Sequence, residues 1–335
     1  MSEPKISVVM PVYNREQYLK ESVESILNQT FTDFEFIIVD DQSTDSSWKI
    51  IQEYASKDSR IVAVKNTGKK GCYPARNCGH KLAKGKYIAV MDSDDISLPE
   101  RLKTQFNFME QNPEIGICGS WAKTFGDENN ELKPPQNHER IRDANFFFCS
   151  MVHPTIMFRN KDEIVYSEEA LFSQDYELFC RKINDLKFAN IPKILLLYRV
   201  HKNQIGNAKK AEQDHNANTI KLRNLETIGI TLSEEEKQIY LEIINKKFTP
   251  QNKDELLLAV KMLNSISING AQHGYKQYFQ DTVQRFIINS VKNSSTDAST
   301  FFKLYFTLFR KLKSFESIKA KLRYFYHGLR FLFHV

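Results

Sequence analysis

The chain has 335 residues, of which 41% are hydrophobic and 26% are charged, and it carries a formal net charge of +6. This balance is ordinary for a globular protein and excludes disorder as a description of the whole chain. The length is that of one large domain with an appendage, or of two domains.

The positive charge is concentrated at the C-terminal end of the chain. Residues 301–335 contain eight Lys or Arg residues against one acidic residue, Glu316, and they hold 11 of the 40 aromatic residues. Residues 1–300 together carry a net charge of −1. The basic character therefore belongs to this tail rather than to the body of the protein.

Several classes of protein are excluded by what the sequence lacks. The chain has no run of about 18 apolar residues, so we expect no transmembrane helix. Its first residues lack the apolar core of a signal peptide, and we expect a cytoplasmic location. The five cysteines are scattered without a C-x-x-C pair, which argues against a zinc ribbon and against a disulfide framework.

The first half of the chain alternates short apolar runs with segments of helical periodicity. We predict strands at 6–12, 34–39, 60–65 and 86–91, and helices at 16–28, 45–55, 75–83 and from 97 to about 111. Ser43 or Thr44 would cap the second helix, and Ser97 would cap the fourth, with Pro99 in its first turn. This alternation predicts an α/β fold with a mostly parallel, three-layer sheet, whose ligands bind at the carboxyl ends of the strands.

The second half has a different character, because runs of β-branched residues become rare after residue 199. Its periodicity predicts helices at 209–228, 233–245, 253–265 and 275–291, and again in the tail. We place a domain boundary in the polar stretch near residue 205. An α/β domain would thus span 1–205, and a helical region would span 206–335.

Two acidic clusters follow predicted strands. Asp40 and Asp41 end the second strand, and Asp92, Asp94 and Asp95 follow the fourth. Three carboxylates within four residues repel one another unless a positive charge lies between them. A Mg²⁺ or Mn²⁺ ion that also binds phosphate oxygens would supply that charge. The alternative is an acidic loop that faces water and caps the next helix, but the second cluster favours a metal–nucleotide site.

Glycine-rich phosphate loops are missing from the positions where they would be needed. No G-x-G-x-x-G follows the first strand, and the chain has no Walker P-loop. A dinucleotide site is therefore disfavoured, and so is a nucleotidyltransferase, which normally needs such a loop. Metal and basic side chains would have to hold the diphosphate instead.

Seven short blocks follow one another between residues 7 and 201: SVVMPVYN at 7–14, VDDQSTD at 39–45, ARN at 75–77, GKYIAVMDSDD at 85–95, HPT at 153–155, QDYEL at 174–178 and YRVH at 198–201. Together and in this order they resemble an inverting family 2 glycosyltransferase with the GT-A fold. The layout also resembles bacterial lipooligosaccharide and capsule N-acetylglucosaminyl- or hexosyltransferases. The resemblance implies that 1–205 is the nucleotide-sugar-binding catalytic domain.

The resemblance implies roles for residues around the nucleotide. Pro11 and Tyr13 would border the nucleobase, and Asp41 would accept a hydrogen bond from the uracil N–H. Asn66 and Arg76 match residues that line the nucleotide pocket. The implied donor is a UDP-sugar: UDP-GlcNAc, UDP-GalNAc, UDP-Gal or UDP-Glc.

The resemblance also implies a metal site built on the D-x-D motif. Asp92 and Ser93 would contact the ribose or the sugar, and Asp94 would bind Mn²⁺ or Mg²⁺. Arg199 and His201 match the region that meets the diphosphate or the metal, with Arg199 on the nucleotide-sugar and His201 among the metal ligands.

Asp175 matches the catalytic base of the family. Many relatives have Glu-Asp where this chain has Gln174-Asp175, and since Gln carries no charge, Asp175 alone would act as base. From the residues alone, Asp175 could equally cap the amphipathic helix that follows it. An inverting transfer needs such a carboxylate opposite the metal, to take the proton of the acceptor hydroxyl.

The tail combines an apolar helical face with basic residues beside it. The apolar positions recur at spacings of three and four: Phe315, Ile318, Leu322, Phe325, Leu329 and Leu332. One interpretation is a helical hairpin docked on the protein itself or on a second copy in a homodimer. The favoured interpretation is a peripheral contact of 301–335 with an anionic membrane surface. Nucleic acid is disfavoured as a partner, because the body is nearly neutral.

The sequence therefore predicts a metal-dependent, inverting glycosyltransferase in polysaccharide biosynthesis. It would use a UDP-sugar at the inner face of the cell membrane, with a lipooligosaccharide, a capsule or another lipid-linked glycan as acceptor. The alternative is a catalytically degenerate protein that binds sugar nucleotides or acts as a membrane scaffold.

Overall fold

The computed structural model describes residues 3–160, 164–167, 172–202, 204, 209–275 and 277–292. These residues form two compact units. The first extends to Gly229 and includes Gly274–Phe279, and the second contains Ile230–His273 and the described residues from Gln280 onward. The tail at 301–335 lies outside the described residues, so its roles stay predictions. The catalytic-domain boundary near residue 205 also stays a prediction.

The first unit is built on a mixed sheet. Its strands are β1 (Ile6–Val12), β2 (Phe34–Asp40), β3 (Ile61–Lys65), β4 (Tyr87–Val90), β5 (Ile96–Ser97), β6 (Ile115–Gly126), β7 (Glu131–Leu132), β8 (Met157–Arg159) and β9 (Lys187–Val200). Their order is β3-β2-β1-β4-β8-β6-β9-β5, and β7 pairs with β6. The predicted α/β fold, with its mostly parallel sheet, is confirmed.

The parallel half of the sheet brings the acidic clusters to one edge. Strands β3, β2, β1 and β4 pair in parallel, and Val12 of β1 lies opposite Asp40 of β2. At the ends of the strands, Asp41 N donates to Val12 O at 2.7 Å and Met91 N donates to Val9 O at 3.0 Å. The residues that follow β1, β2 and β4 therefore lie along the same carboxyl edge. Beyond β4 the sheet turns antiparallel through β8, which the sequence did not predict.

Helices cover both faces of the sheet in the first unit. They are α1 (Leu19–Leu27), α2 (Ser47–Ala55), α3 (Cys72–Leu82), α4 (Arg101–Gln111), α5 (His138–Ala144), α6 (Gln174–Lys182) and α7 (Lys210–Glu226). Strand β1 is buried over its whole length because its two faces pack into two different apolar clusters. Helix α3 approaches β1 closely at Gly79, where a Cβ would lie 2.5 Å from Val9 Cγ1. The same Cβ would lie 3.2 Å from Val39 Cγ2, so α3 packs across β1 and β2.

The remaining helices are α8 (Glu234–Ile244), α9 (Lys253–Gln272) and α10 (Gln277–Lys292). Helix α8 begins with a capping box, in which Ser233 and Glu236 each accept from the backbone of the other. The predicted helices of this region are thus present, with α9 longer than expected. In the part of the chain that the structure describes, no helix is long and apolar enough to cross a membrane.

The cap predicted for α2 is wrong. The helix begins after Ser46, not after Ser43 or Thr44. The reason is a competing contact: Ser43 Oγ accepts a hydrogen bond from Asn14 N at 3.1 Å. This hydroxyl is used to hold the turn that follows β1.

The cap predicted for α4 is also wrong. Ser97 lies in β5, and α4 begins at Arg101 with Glu100 as its N-cap. Ser97 is buried, and its Oγ accepts a hydrogen bond from Gln29 Nε2 at 3.1 Å. A serine that is drawn into a buried hydrogen bond of this kind is not available as a helix cap.

Candidate active site

Asp41 and Asn66 meet at the ends of β2 and β3, as predicted for residues that line one pocket. Asn66 Nδ2 donates to Asp41 Oδ1 at 2.7 Å, and Gly71 N donates to Asp41 Oδ2 at 2.7 Å. Asn66 also donates to Lys69 O at 2.8 Å. The carboxylate therefore anchors the loop from Asn66 to Gly71. Each of its oxygens has a second lone pair, which leaves room for one further donor.

Tyr13 follows β1, and its aromatic ring lies beside the loop from Asn66 to Gly71. Its side chain is 41% exposed, and Lys70 Nζ lies 4.0 Å from the ring centroid. Pro11, by contrast, is buried within β1. Of the two residues predicted to border a nucleobase, Tyr13 is therefore the one with an open face.

Arg76, which is buried in α3, forms an ion pair with the partly exposed Asp92 just after β4. Arg76 Nη2 lies 2.7 Å from Asp92 Oδ1, and Arg76 is 1% exposed. Burial acts to raise the pKa of Asp92, but the charge of Arg76, its hydrogen bond to Asp92 and the charge of Arg15 act together to hold that pKa below its ordinary value. Asp92 is thus an anion at working pH. Ser93, next to it, is buried.

A second cluster surrounds the carboxylate of Asp94. His201 Nε2 lies 3.2 Å from Asp94 Oδ2, and Arg15 Nε lies 3.3 Å from the same oxygen. The structure thus brings together Asp94 and His201, the two predicted metal ligands. Arg15 was not predicted, because its neighbours in the sequence give no sign of a contact with Asp94.

The donor set of Asp94 and His201 fits a divalent cation that also binds phosphate. A carboxylate oxygen and an imidazole nitrogen at this separation can serve as two ligands of one ion, with phosphate oxygens and water as the others. The described residues hold no group of three or more His, Cys, Asp or Glu side chains that could hold a metal by themselves. A metal here would therefore depend on the nucleotide for part of its coordination.

Arg199 supports this cluster from β9. Its backbone N donates to Asp95 Oδ1 at 2.8 Å, and its Nε donates to Asp94 O at 2.7 Å. Its guanidinium lies over the rings of Tyr18 and Phe125, at 4.7 and 4.4 Å from their centroids. In this position Arg199 holds the backbone of the acidic loop, and its predicted contact with the nucleotide-sugar stays a prediction.

Asp95 differs from its neighbours because it is fully buried. Burial raises the pKa of Asp95, and the nearby charges of Asp94 and Asp92 raise it further. Asp95 therefore ionises less readily than an exposed aspartate would.

Asp175 lies in the first turn of α6, and Ser173 occupies the N-cap position. Asp175 Oδ1 accepts a hydrogen bond from Tyr176 N at 2.8 Å. Burial raises the pKa of Asp175, and the charge of Asp92 adds to this effect. Among the described residues, no ion pair involves Asp175. Gln174 is buried, and its Oε1 has no hydrogen-bond partner in the same described part of the chain.

Helix α6 is fixed through a backbone carbonyl that sequence reasoning missed. The carbonyl oxygen of Asn145 accepts from Tyr176 Oη at 2.6 Å and from Asn224 Nδ2 at 3.0 Å. These contacts tie α6 and α7 to the end of α5, and so they set the position of Asp175. A backbone acceptor carries no signal in the sequence, so only the fold reveals it.

The sheet order, with acidic and basic side chains collected at the carboxyl ends of β1, β2 and β4, is that of the GT-A class of glycosyltransferases. The profile described as "Glycosyl transferase family 2" matches residues 7–183, which is more than half of the chain. The chain belongs to this family and is a glycosyltransferase.

Relatives in sequence agree with this assignment. An uncharacterized glycosyltransferase of Methanocaldococcus jannaschii is 43% identical over 209 residues, which cover 60% of this chain and 72% of the relative. The UDP-Glc:alpha-D-GlcNAc-diphosphoundecaprenol beta-1,3-glucosyltransferase WfaP of Escherichia coli is 32% identical over 219 residues, covering 64% of this chain and 85% of the relative.

Solved structures share the fold. Residues 1–349 of TarS from S. aureus, in complex with UDP-GlcNAc, superpose with a TM-score of 0.55 at 20% identity, covering 84% of this chain and 90% of that one. The mannosyltransferase PcManGT from Pyrobaculum calidifontis, in complex with GDP-Man and Mn²⁺, gives a TM-score of 0.53 at 16% identity, with 87% of each chain covered. At these identities the likeness shows the shared fold alone.

Proposed function

We propose that the chain is a divalent-metal-dependent, inverting hexosyltransferase that moves a sugar from a UDP-sugar to a hydroxyl group of a surface glycan. The observation that carries the proposal is the approach of His201 Nε2 to Asp94 Oδ2 at 3.2 Å, at the carboxyl end of β4. Together, Asp94 and His201 provide one oxygen and one nitrogen ligand for a metal ion that also binds the diphosphate.

The side chains of Tyr13 and Asp41 support a uridine nucleotide as donor. The exposed ring of Tyr13 offers a stacking surface, and the Asp41 carboxylate can accept one further hydrogen bond, as from the N–H of uracil. The E. coli relative takes UDP-Glc by its name, and the TarS structure contains UDP-GlcNAc. The donor would be UDP-GlcNAc, UDP-GalNAc, UDP-Gal or UDP-Glc.

The arrangement of charged side chains in the site is suited to a reaction in which a diphosphate leaves. Asp94 and His201 would hold Mn²⁺ or Mg²⁺, which when bound neutralises charge that grows on the leaving group. Arg76 fixes the Asp92 carboxylate at 2.7 Å, so that Asp92 can contact the ribose or the sugar without rotating away. This chain's own residues therefore orient the donor before transfer.

Asp175 is the proposed general base. Because burial raises its pKa, the carboxylate is a stronger base than an exposed aspartate. It would take the proton of the acceptor hydroxyl while that oxygen attacks the anomeric carbon from the side away from the diphosphate. Help of this kind is typically worth a factor of about 10²–10⁴ in rate.

The decisive experiment measures UDP release from the four UDP-sugars by the full-length protein, with Mn²⁺ and with a chelator. We expect one donor to be hydrolysed slowly and only with metal. Asp175→Asn should keep UDP binding and lose this turnover. Asp185→Asn is the matched control, because Asp185 is an exposed carboxylate just after the same helix. Normal turnover by Asp175→Asn would refute the base, and binding of UDP with no turnover of any donor, even with acceptor glycans present, would favour the degenerate alternative.

The proposed acceptor and location are supported by the sequence of the tail and by one relative. The E. coli relative acts, by its name, on a diphosphoundecaprenol-linked sugar. Residues 301–335 carry a net charge of +7, and each basic residue near an anionic surface is worth about 1 kcal/mol. The enzyme would thus lie peripherally on the inner face of the cell membrane, beside a lipid-linked acceptor.

Vesicle binding tests this location in the full chain. A variant with Lys319, Lys321, Arg323 and Arg330 changed to Gln should lose sedimentation with anionic vesicles and keep its UDP affinity. Equal sedimentation would overturn the membrane role. A change of oligomeric state in the variant would instead favour the homodimer.

A further inference from the structure

The turn that follows β1 is held rigidly against the loop before α2. Its hydrogen bonds to that loop and to the first residue of α2 include Asn14 N to Ser43 Oγ (3.1 Å), Arg15 N to Ser47 Oγ (2.8 Å), Glu16 N to Asp45 Oδ2 (3.1 Å) and Thr44 N to Asn14 Oδ1 (2.8 Å). Asn14 adopts a φ of 50°, in the left-handed region that Asn tolerates better than most residues. The result is a fixed turn that carries Arg15 toward the end of β4.

The guanidinium of Arg15 is itself oriented by the turn. Its Nη1 donates to Asn14 O at 3.1 Å and to Tyr13 O at 3.3 Å. Its Nε then lies 3.3 Å from Asp94 Oδ2, and the side chain is 16% exposed. Arg15 is thus presented to the Asp94 carboxylate by backbone acceptors on its own turn.

Arg15 and His201 approach the same oxygen of Asp94. His201 Nε2 lies 3.2 Å from Asp94 Oδ2, the atom that Arg15 Nε also contacts. A divalent ion on that oxygen would lie within a few ångströms of the guanidinium, with water largely excluded. Like charges so close repel strongly in a partly buried site. Metal and Arg15 therefore compete for Asp94.

We propose that Arg15 is a stand-in cation, which neutralises Asp94 until the metal–nucleotide enters and then exchanges the carboxylate for diphosphate oxygens. The inference rests on the proposed function, since it assumes a metal at Asp94 and a nucleoside diphosphate beside it. A guanidinium suits the second role, because its fork of N–H donors matches phosphate oxygens. The positive charge of Arg15 would then stabilise the negative charge of the departing diphosphate.

The other arginines of the site contact acceptors other than the Asp94 carboxylate. Arg76 pairs with Asp92, and the guanidinium of Arg199 donates to Glu21 Oε2 at 2.5 Å and to the backbone oxygen of Asp94. Among the described residues, Arg15 is the arginine whose ion pair is with the Asp94 carboxylate. It is therefore the one that the metal would release.

The proposal predicts effects of opposite sign in two binding measurements. In Arg15→Gln, Mn²⁺ alone should bind about fivefold more tightly, the order expected when one partly exposed ion pair no longer competes. UDP at saturating Mn²⁺ should bind about tenfold more weakly, because a charge-assisted hydrogen bond to the diphosphate is lost. A purely structural residue would change both affinities in the same direction, or neither.

The experiment uses the full-length protein and needs no turnover. Mn²⁺ affinity is measured from the electron paramagnetic resonance signal of free Mn²⁺, and UDP affinity is measured by calorimetry. Arg15→Lys keeps the charge without the fork, so its Mn²⁺ affinity should stay near wild type and its UDP affinity should fall by about threefold. Arg60→Gln is the matched control, because Arg60 pairs with Asp58 and should leave both affinities unchanged.

The outcomes distinguish failure of the Arg15 role from failure of the proposed function. If wild type binds Mn²⁺ and UDP but Arg15→Gln binds Mn²⁺ with unchanged or lower affinity, the stand-in role is overturned and the proposed function stands. If Arg15→Gln does not fold, unchanged UDP affinity in Arg15→Lys overturns the role. If wild type binds neither Mn²⁺ nor UDP, the proposed function fails and this inference fails with it.

Discussion

Arg76 Nη2 lies 2.7 Å from Asp92 Oδ1, while Nε and Nη1 of the same guanidinium have no hydrogen-bond partner among the described residues. Arg76 is 1% exposed, so water does not readily replace those partners. A buried donor without an acceptor costs about 1–3 kcal/mol. The guanidinium also lies 5.9 and 5.8 Å from the ring centroids of Tyr73 and Tyr166. We expect oxygen atoms of a bound nucleotide to serve as the missing hydrogen-bond partners.

The first prediction tests whether Arg76 donates hydrogen bonds to the nucleotide. Arg76→Met keeps most of the length of the side chain and removes the charge and the donors. UDP affinity at saturating Mn²⁺ should fall by at least about tenfold, because hydrogen bonds to a charged group are worth about 1.5–3 kcal/mol. The free energy of unfolding should change by less than about 2 kcal/mol, since the lost Asp92 pair is offset by removal of two unsatisfied donors. Calorimetry and urea denaturation measure the two effects. Unchanged UDP affinity would show that Arg76 serves the fold alone.

Parts of this site that lie directly after strands could be predicted from the sequence. The apolar run that predicts a strand at 6–12 is β1, with the same bounds, because a strand buried on both faces leaves an unbroken apolar signal. The same reasoning places Asp41 and Asp92 at the carboxyl edge of the sheet. Their shared edge follows from parallel pairing, which is a general property of α/β folds.

Other parts depend on contacts between distant segments. The pairing of Arg15 with Asp94 needs the turn after β1 to reach the end of β4, and no local pattern encodes that distance. Arg199 contacts the rings of Tyr18 and Phe125, two residues that are distant from it in the sequence, so no local pattern reveals these contacts. Ser97 has the features of a helix cap but is drawn into a buried hydrogen bond with Gln29. In each case tertiary packing decides between alternatives that local chemistry leaves open.

The second prediction concerns pH. Because the pKa of Asp175 is raised by burial, the base becomes protonated as the pH falls through a value above the ordinary aspartate range. The acid limb of kcat should therefore lie higher than an exposed aspartate would give, and turnover should be lost below it. Measuring kcat against pH on the active donor checks this. An acid limb in the ordinary aspartate range would contradict the buried base.

The third prediction links the same residue to stability. A carboxyl whose pKa is raised on folding lowers stability as the pH rises from its pKa in the unfolded chain to its higher pKa in the folded protein. Asp175→Asn removes this cost and should stabilise the protein at pH 8 by about 1 kcal/mol, a common gain when an active-site charge is removed. Below the pKa of an aspartate in the unfolded chain, where Asp175 is protonated in both states, the gain should vanish. Thermal unfolding at both pH values, with Asp185→Asn as control, measures it, and equal stability at both would contradict the prediction.

The fourth prediction tests whether the Asn145 carbonyl positions α6. Tyr176→Phe removes the 2.6 Å hydrogen bond to that carbonyl and keeps the aromatic ring. Helix α6 should therefore be held less firmly, while Tyr13, Asp41 and Asn66 keep their positions. We expect kcat to fall by about tenfold, since small displacements of a catalytic group are costly, with UDP affinity unchanged. Steady-state kinetics and calorimetry separate the two. A parallel loss of UDP affinity would mean that Tyr176 supports the whole unit instead of the base.

The fifth prediction concerns the buried pair of His153 and Tyr166, whose Nε2 and Oη lie 2.7 Å apart. Burial lowers the pKa of His153 to about 3, so the ring is neutral at working pH and its Nε2 shares one hydrogen bond with the tyrosine hydroxyl. Tyr166→Phe leaves that nitrogen buried without this partner and should lower the free energy of unfolding by about 1–3 kcal/mol.

The matched control for this pair is Tyr54→Phe, which removes a hydroxyl that donates to Glu24 at the protein surface. Water can replace that partner, so the change should lie within about 0.5 kcal/mol. Urea denaturation at pH 7 compares the two variants directly. Since His153 stays neutral until about pH 3, the difference between them should be the same at pH 5 and at pH 8. A difference that shrinks at pH 5 would mean that His153 takes up a proton there, and that the pair is less buried than its geometry indicates.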